Sequence, residues 1–230
     1  MKPWVEVDKD LAARVKQMAE QALTASTSLE MALEVSRQAM HWADQLIEAF
    51  ESANPLPRPV ACEPGCTFCC HNMVEVTPPE VFGLAQVIKF YFPPARQESI
   101  KEKTLRMAAL KVGLSKAELA ASRQTQPCPL LEEDKCAAYP WRPLMCRAMH
   151  SLNRDLCRRS FEAGDLAGSD KYYLHRYVFP MSVSDGLRAG LQAAGLKMPV
   201  LELTRALGQA LLEPGLAERW LAGEEVFAET

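Results

Sequence analysis

Apolar residues recur at helical spacing through most of this chain. Leu11, Val15, Met18 and Ala22 share one helix face, and Ala32, Val35, Ala39, Ala43, Leu46 and Phe50 share another. The first fifty residues therefore predict two amphipathic helices folded as a hairpin. Thr27 and Glu30 stand at capping-box spacing, which puts the turn near residues 25–28. His41 and Trp42 lie inside the second helix and read as packing or solvated-face residues. Residues 54–60 hold three prolines and cannot continue a helix, so they form a linker into the cysteine loop.

Thr77, Pro78 and Glu80 signal the next helix start, with Leu84, Ile88 and Tyr91 as its buried stripe and Pro93-Pro94 as its end. A more polar helix over about residues 96–111 runs to Gly113, and Ser115 with Glu118 caps a short sequel. Four prolines leave residues 126–147 irregular. Residues 172–179, YYLHRYVF, are strand-like but have no partner run, so they predict an extended aromatic strap. Ser184 then caps a helix stopped by Gly195. Val200, Leu203, Leu207 and Leu211 mark another up to Pro214, and a last turn surrounds Trp220. The fold class is mainly α. A helical hairpin (residues 1–55), a cysteine-rich metal-binding segment (56–160) and C-terminal helices (161–230) pack as one unit.

Net charge is −3 over 230 residues, with pI near 5.9. No global basic field exists to attract nucleic acid or an anionic membrane surface. The start is acidic where a signal peptide needs an apolar run, and no stretch approaches the ~20 apolar residues of a spanning helix. The expectation is a soluble, cytoplasmic protein.

The chemistry resides in eight cysteines. Cys62, Cys66, Cys69 and Cys70 fall within nine residues, and Cys128, Cys136, Cys146 and Cys157 lie further along. A reducing cytosol disfavours disulfides, and a bond between vicinal Cys69 and Cys70 would close a strained ring, so metal ligation is the reading preferred over disulfides or inert thiols. Gly65 permits a positive backbone angle, letting a tight turn aim several sulfurs at one point. Adjacent side chains diverge, however, so Cys69 and Cys70 point to a second site, a bridging thiolate or a polynuclear centre. Seven or eight thiolates exceed the four of one tetrahedral zinc, which favours more than one metal atom.

If residues 146–158 formed one helix, Cys157 would lie about 16 Å from Cys146, too far for one ion, while His150 at about 6 Å would reach it. Ser151 and Asn153 can break that helix and bring Cys157 back. Arg142, Arg147, Arg154, Arg158 and Arg159 make this neighbourhood locally basic. They either offset thiolate charge, form a solvated face or bind an anion.

At these residues the sequence resembles the YkgJ-type CxxCxxCC cysteine-cluster family of zinc- or iron-chelating domains. Cys62 to Cys70 carry the signature with one extra residue between the first two cysteines. The run from Val76 to Glu80 resembles the family's next helix start, and Cys128-Pro-Leu, Cys136-Ala-Ala-Tyr139 and Arg142-Pro-Leu-Met-Cys146-Arg147 resemble the second half. The resemblance spans roughly residues 60–160. It implies metal chelation with no reaction common to all members; a similar cysteine domain occurs in the longer flagellin lysine N-methylases.

Three functional classes are open. The first is a protein holding iron, as an iron–sulfur cluster, or zinc through Cys62, Cys66, Cys69, Cys70, Cys128, Cys136, Cys146 and Cys157. The second is a metal-dependent enzyme modifying a protein side chain, methyltransferase-like or of the radical-SAM type, because Cys62-x-x-x-Cys66-x-Phe68-Cys69 also spells the signature that leaves a cluster open to S-adenosylmethionine. Radical-SAM enzymes resemble partial β/α barrels, whereas the residues after Cys70 read as helices and proline-rich loops. The third is an interaction module whose helical flanks bind a protein partner around a structural metal. No Gly-rich phosphate loop, His-Glu-x-x-His or assignable nucleophile–base pair accompanies the cysteines.

Overall fold

Helices form largely where the apolar stripes predict them. The computed structural model describes residues 6–25, 27–163 and 172–227, and among these the chain is mainly α, with ten α-helices and four strands of two residues each. None of the described helices is long and apolar enough to cross a membrane.

Helix α1 (Lys9–Ala25) buries Leu11, Val15, Ala19 and Leu23. The stripe thus runs through Ala19 and Leu23, and the expected Met18 and Ala22 pack at its rim. Helix α2 (Leu29–Ala53) starts one residue later than a Thr27 cap implies. Ser28 Oγ accepts from the Met31 N–H at 3.1 Å, while the Thr27 hydroxyl donates back to the Leu23 carbonyl at 2.9 Å and is spent on α1. Ser26, within the expected turn, lies outside the described residues.

Helix α3 (Pro78–Tyr91) starts as predicted. Glu80 Oε2 accepts from the Thr77 N–H at 2.8 Å, and Glu80 Oε1 reaches across to the Leu144 N–H, also at 2.8 Å. Leu84 and Ile88 are buried, but Tyr91 is 69% exposed and rests against Trp141 with centroids 5.3 Å apart. Helix α4 (Pro94–Lys111) begins on Pro94, since proline suits a first turn whose N–H has no acceptor. Helix α5 (Lys116–Ala121) carries the Ser115–Glu118 capping box.

The expected aromatic strap is wrong. After α6 (Leu144–Ala148) and α7 (Arg154–Ala163), residues 172 and 173 lead into α8 (Leu174–Ala193), a helix that passes through Pro180 and has Ser184 in its interior. Strand propensity is a weak local preference, and packing on α1, α2 and α6 overrides it. The α1–α8 approach is close enough to need glycine: a Cβ at Gly186 would stand 2.3 Å from the Ala12 carbonyl oxygen, and one at Gly190 would stand 2.6 Å from Ala19 Cβ. Residues 164–171, part of the C-terminal stretch, lie outside the described residues.

Gly195, at φ +89°, follows α8 as its stop. Helix α9 (Leu203–Leu212) buries Leu203 and Leu207, whereas Val200 stays exposed before it. In α10 (Leu216–Leu221) Trp220 is fully buried, its Nε1–H donating to the Lys197 carbonyl at 2.6 Å. Strand β1 (Glu75–Val76) pairs antiparallel with β4 (Leu201–Glu202), stitching the chain after the cysteine loop to the tail. Glu202 also receives buried Lys111 at 2.7 Å, which fixes the end of α4 behind the site.

Candidate metal centre

The first cysteine group sits on a tight loop. Gly65 adopts φ +90°, as its spacing suggests, and a short 3-10 turn (Phe68–His71) presents Cys69 and Cys70. The Cys66 and Cys70 N–H groups donate to the Glu63 and Thr67 carbonyls at 3.0 and 2.8 Å. Backbone pairing joins this loop to the second group, because the Cys128 N–H donates to the Cys70 carbonyl at 2.7 Å. Cys136 ends a hairpin of β2 (Leu131–Glu132) and β3 (Lys135–Cys136), turned through Glu133 and Asp134, both at positive φ. Cys146 rides on α6, whose first N–H is the one held by Glu80.

One helix over residues 146–158 does not form. The chain breaks after Ala148, Ser151 Oγ accepts from the Asn153 N–H at 3.1 Å, and Asn153 Oδ1 accepts from the Leu156 N–H at 3.1 Å as α7 begins. Cys157 is therefore freed from the axis of Cys146. Helix α7 folds back on the cysteine loop, with Phe161 against Phe68 and His71 at centroid distances of 5.7 and 4.8 Å. Cys62 joins the same side: Ser151 N–H donates to its Sγ at 3.3 Å, and the Ala61 N–H donates to the Ser151 carbonyl at 2.9 Å.

All eight cysteines are free, with Cys62 and Cys69 exposed and the other six half-buried. Their mutual fields sort them. Cys62 feels Cys69 and Cys157, Cys66 feels Cys62 and Cys69, Cys136 feels Cys69, and Cys146 feels Cys128, Cys69 and Cys136. Cys69 is felt by Cys62 and Cys66 of the first group and by Cys136 and Cys146 of the second. No three His, Cys, Asp or Glu side chains among the described residues gather at the distances of a single ion.

Burial pushes the thiols of Cys62, Cys66, Cys136 and Cys146 up, reinforced by neighbouring thiols, and raises Cys128 to about 11. Cys69 is raised chiefly by its hydrogen bond with the Cys70 thiol. Opposing this, Arg142 favours the thiolates of Cys69, Cys136 and Cys146, and Lys111 and Lys103 favour that of Cys128. Cys62, Cys66, Cys69, Cys128, Cys136 and Cys146 therefore hold their protons until a cation displaces them.

The basic residues divide accordingly. Arg142 acts on Cys69, Cys136 and Cys146, and Arg154 acts on Cys66 while pairing with Glu63. Arg147 instead pairs with Asp44 and donates to the Arg142 and Pro140 carbonyls, and Arg158 pairs with Asp155 on an exposed face, as Arg159 is also exposed. Lys103 and Lys111 were not legible as site residues, since no local pattern ties α4 to Cys128. His150 takes the packing role: Nδ1 lies 2.9 Å from the Ala148 carbonyl and Nε2 accepts from the Tyr173 N–H at 2.8 Å, which occupies both ring nitrogens.

No curated protein and no solved structure matches the chain. A family model does match, over residues 61–162, a span that contains all eight cysteines. That model is the CxxCxxCC family, described as "Putative zinc- or iron-chelating domain", so the centre of this chain, residues 61–162, is similar to that family.

Proposed function

We propose that the protein holds a polynuclear, all-thiolate metal centre, iron–sulfur in preference to zinc. Cys62, Cys66 and Cys157 serve one side, Cys128, Cys136 and Cys146 serve the other, and Cys69 with Cys70 forms the join. The observation that carries this reading is the 2.7 Å bond from the Cys128 N–H to the Cys70 carbonyl, which brings the two cysteine groups together, and thiols of both groups respond to Cys69 beside it. A lone zinc needs four ligands at about 2.3 Å from sulfur. A cluster containing inorganic sulfide spreads its thiolates over several irons and suits the wider set. When bound, such a group supplies one-electron chemistry. The chain itself contributes the thiolates, the Arg142 charge that offsets them, and the Cys70–Cys128 backbone bond that holds the two halves together.

Free thiols of this kind belong in a reducing compartment, which supports a cytoplasmic setting. The radical-SAM alternative asks for a partial β/α barrel, and strands of two residues do not build one among the described residues. The decisive preparation is an anaerobic one, with visible absorption recorded and iron, zinc and acid-labile sulfide counted per chain. A coloured protein with matching iron and sulfide is expected; a colourless one with two zinc and no sulfide would overturn the iron–sulfur assignment. Cys69→Ser should lower metal content more than serine at any other single cysteine, and an unchanged content would remove Cys69 from the join.

A further inference from the structure

Between α2 and residues 139–150 an open cleft of about 380 Å³ borders the Cys62 thiol. Its walls bear three carboxylates and three guanidinium groups. Four of these six are committed to one another: Arg147 to Asp44, and Arg176 to Glu51 through a two-pronged contact whose Nη2–Oε2 bond is 2.7 Å. Glu48 and Arg142 remain, and neither forms a salt bridge among the described residues, although Arg142 also acts on the Cys69, Cys136 and Cys146 thiols. The Glu48 backbone carbonyl accepts from the Ser52 hydroxyl, but its carboxylate bonds to nothing among the described residues. Arg142 donates its Nε–H to the Tyr139 carbonyl at 3.1 Å and stacks 3.7 Å over that ring, which leaves its Nη edge without a bond to any described residue. Ile47, Val60 and Met149 give the cleft an apolar lining between the charged positions.

Such a wall selects by charge. A simple anion would answer Arg142 and be repelled by Glu48, and a simple cation would do the reverse, so the complement is a molecule carrying both charges. The volume falls at the small end of ligand sites, roughly 300–1,000 Å³, which excludes anything much larger than a single metabolite. We propose that this cleft binds a small zwitterion with an apolar body, an α-amino acid of the leucine, methionine or phenylalanine kind, with its carboxylate on Arg142 and its ammonium on Glu48. The bound molecule lies against Cys62 and so beside the thiolate centre proposed above. Arg142 also offsets the thiolate charge of that centre, so the Glu48 side of the cleft is the arm of the test that is separate from it.

The test uses the full chain as purified, with metal content measured on every sample. Calorimetric titration compares L-phenylalanine with 3-phenylpropionate, which lacks the ammonium, and with phenethylamine, which lacks the carboxylate; L-leucine and L-methionine cover a cleft too narrow for the ring. An amino acid should bind at least tenfold more tightly than either half-ligand. Glu48→Gln should abolish the preference over 3-phenylpropionate, and Arg142→Gln the preference over phenethylamine. Glu48 is exposed at the cleft edge, so its variant keeps the test valid even where the Arg142 variant folds poorly. Absence of binding by all three amino acids, half-ligands that bind wild type as well as the amino acid, or a Glu48→Gln variant with unchanged preferences would overturn the proposal. Selective binding by a chain found to lack metal would refute the metal reading and leave the cleft standing; a metal-loaded chain without selectivity would do the opposite.

Discussion

Replacing Gly186 by alanine would place a methyl carbon 2.3 Å from the Ala12 carbonyl oxygen and 2.7 Å from Val15 Cβ. Two effects of opposite sign then compete. Alanine is more favourable than glycine inside a helix by about 1 kcal/mol. Against this, neither obstacle is the flexible end of a side chain: one is α1 backbone and the other belongs to a residue with no exposure. The helices must part by about 1 Å to restore contact distances, and their shared packing loosens. Gly190, one turn further on, meets Ala19 equally closely, so the displacement cannot be confined to one point. Overpacking of this kind costs ~1–3 kcal/mol, and a shift of two long helices belongs in the upper part of that range. The expected net loss is therefore about 1–2 kcal/mol. Gly83→Ala is the control, since a Cβ there meets nothing within 4 Å in the middle of α3, and it should gain roughly 0.5–1 kcal/mol. Urea unfolding of the reduced protein measures both. A Gly186→Ala variant as stable as wild type, beside a stabilised Gly83→Ala, would refute the close α1–α8 approach.

Glu80→Ala strips the acceptor from two buried N–H groups, those of Thr77 and Leu144, and should cost ~2–4 kcal/mol in urea unfolding while lowering metal content through the α6 that carries Cys146. Lys111→Met leaves the Glu202 carboxylate, 6% exposed, without its cation and should cost ~3–5 kcal/mol; adding Glu202→Gln should recover most of it. Glu51 is held below the ordinary carboxyl value of 4.5 by its bond to Arg176 and then by His175. Its contribution to stability is complete above that value and is lost as pH falls through the lowered one, so Glu51→Gln should lower the melting temperature at neutral pH and converge with wild type in acid.

Much of this fold is legible because it is locally encoded. The Thr77–Glu80 and Ser115–Glu118 boxes fix helix starts within a few residues of sequence, and Val15, Ala32, Val35 and Ala39 bury as their spacing requires. Helix α8 is not, because the composition of YYLHRYVF favours a strand and only contact with α1, α2 and α6, elsewhere in the sequence, decides otherwise. The available signal was the Gly186-x-x-x-Gly190 spacing, which marks a face built for close helix packing. Tyr91 extends a buried stripe by one turn, yet α3 ends there and the ring turns outward onto Trp141. At the site, residue type makes the cysteines legible, and Gly65 makes their turn legible. How the thiols sort depends on the Cys70–Cys128 bond and on the break after Ala148, both products of tertiary structure.

The most direct test of the polynuclear thiolate centre is X-ray absorption at the metal edge of the anaerobically purified protein. The account predicts a shell of sulfur alone, at about 2.3 Å, together with a neighbouring metal atom. A single isolated ion, or a shell containing nitrogen or oxygen donors, would contradict it.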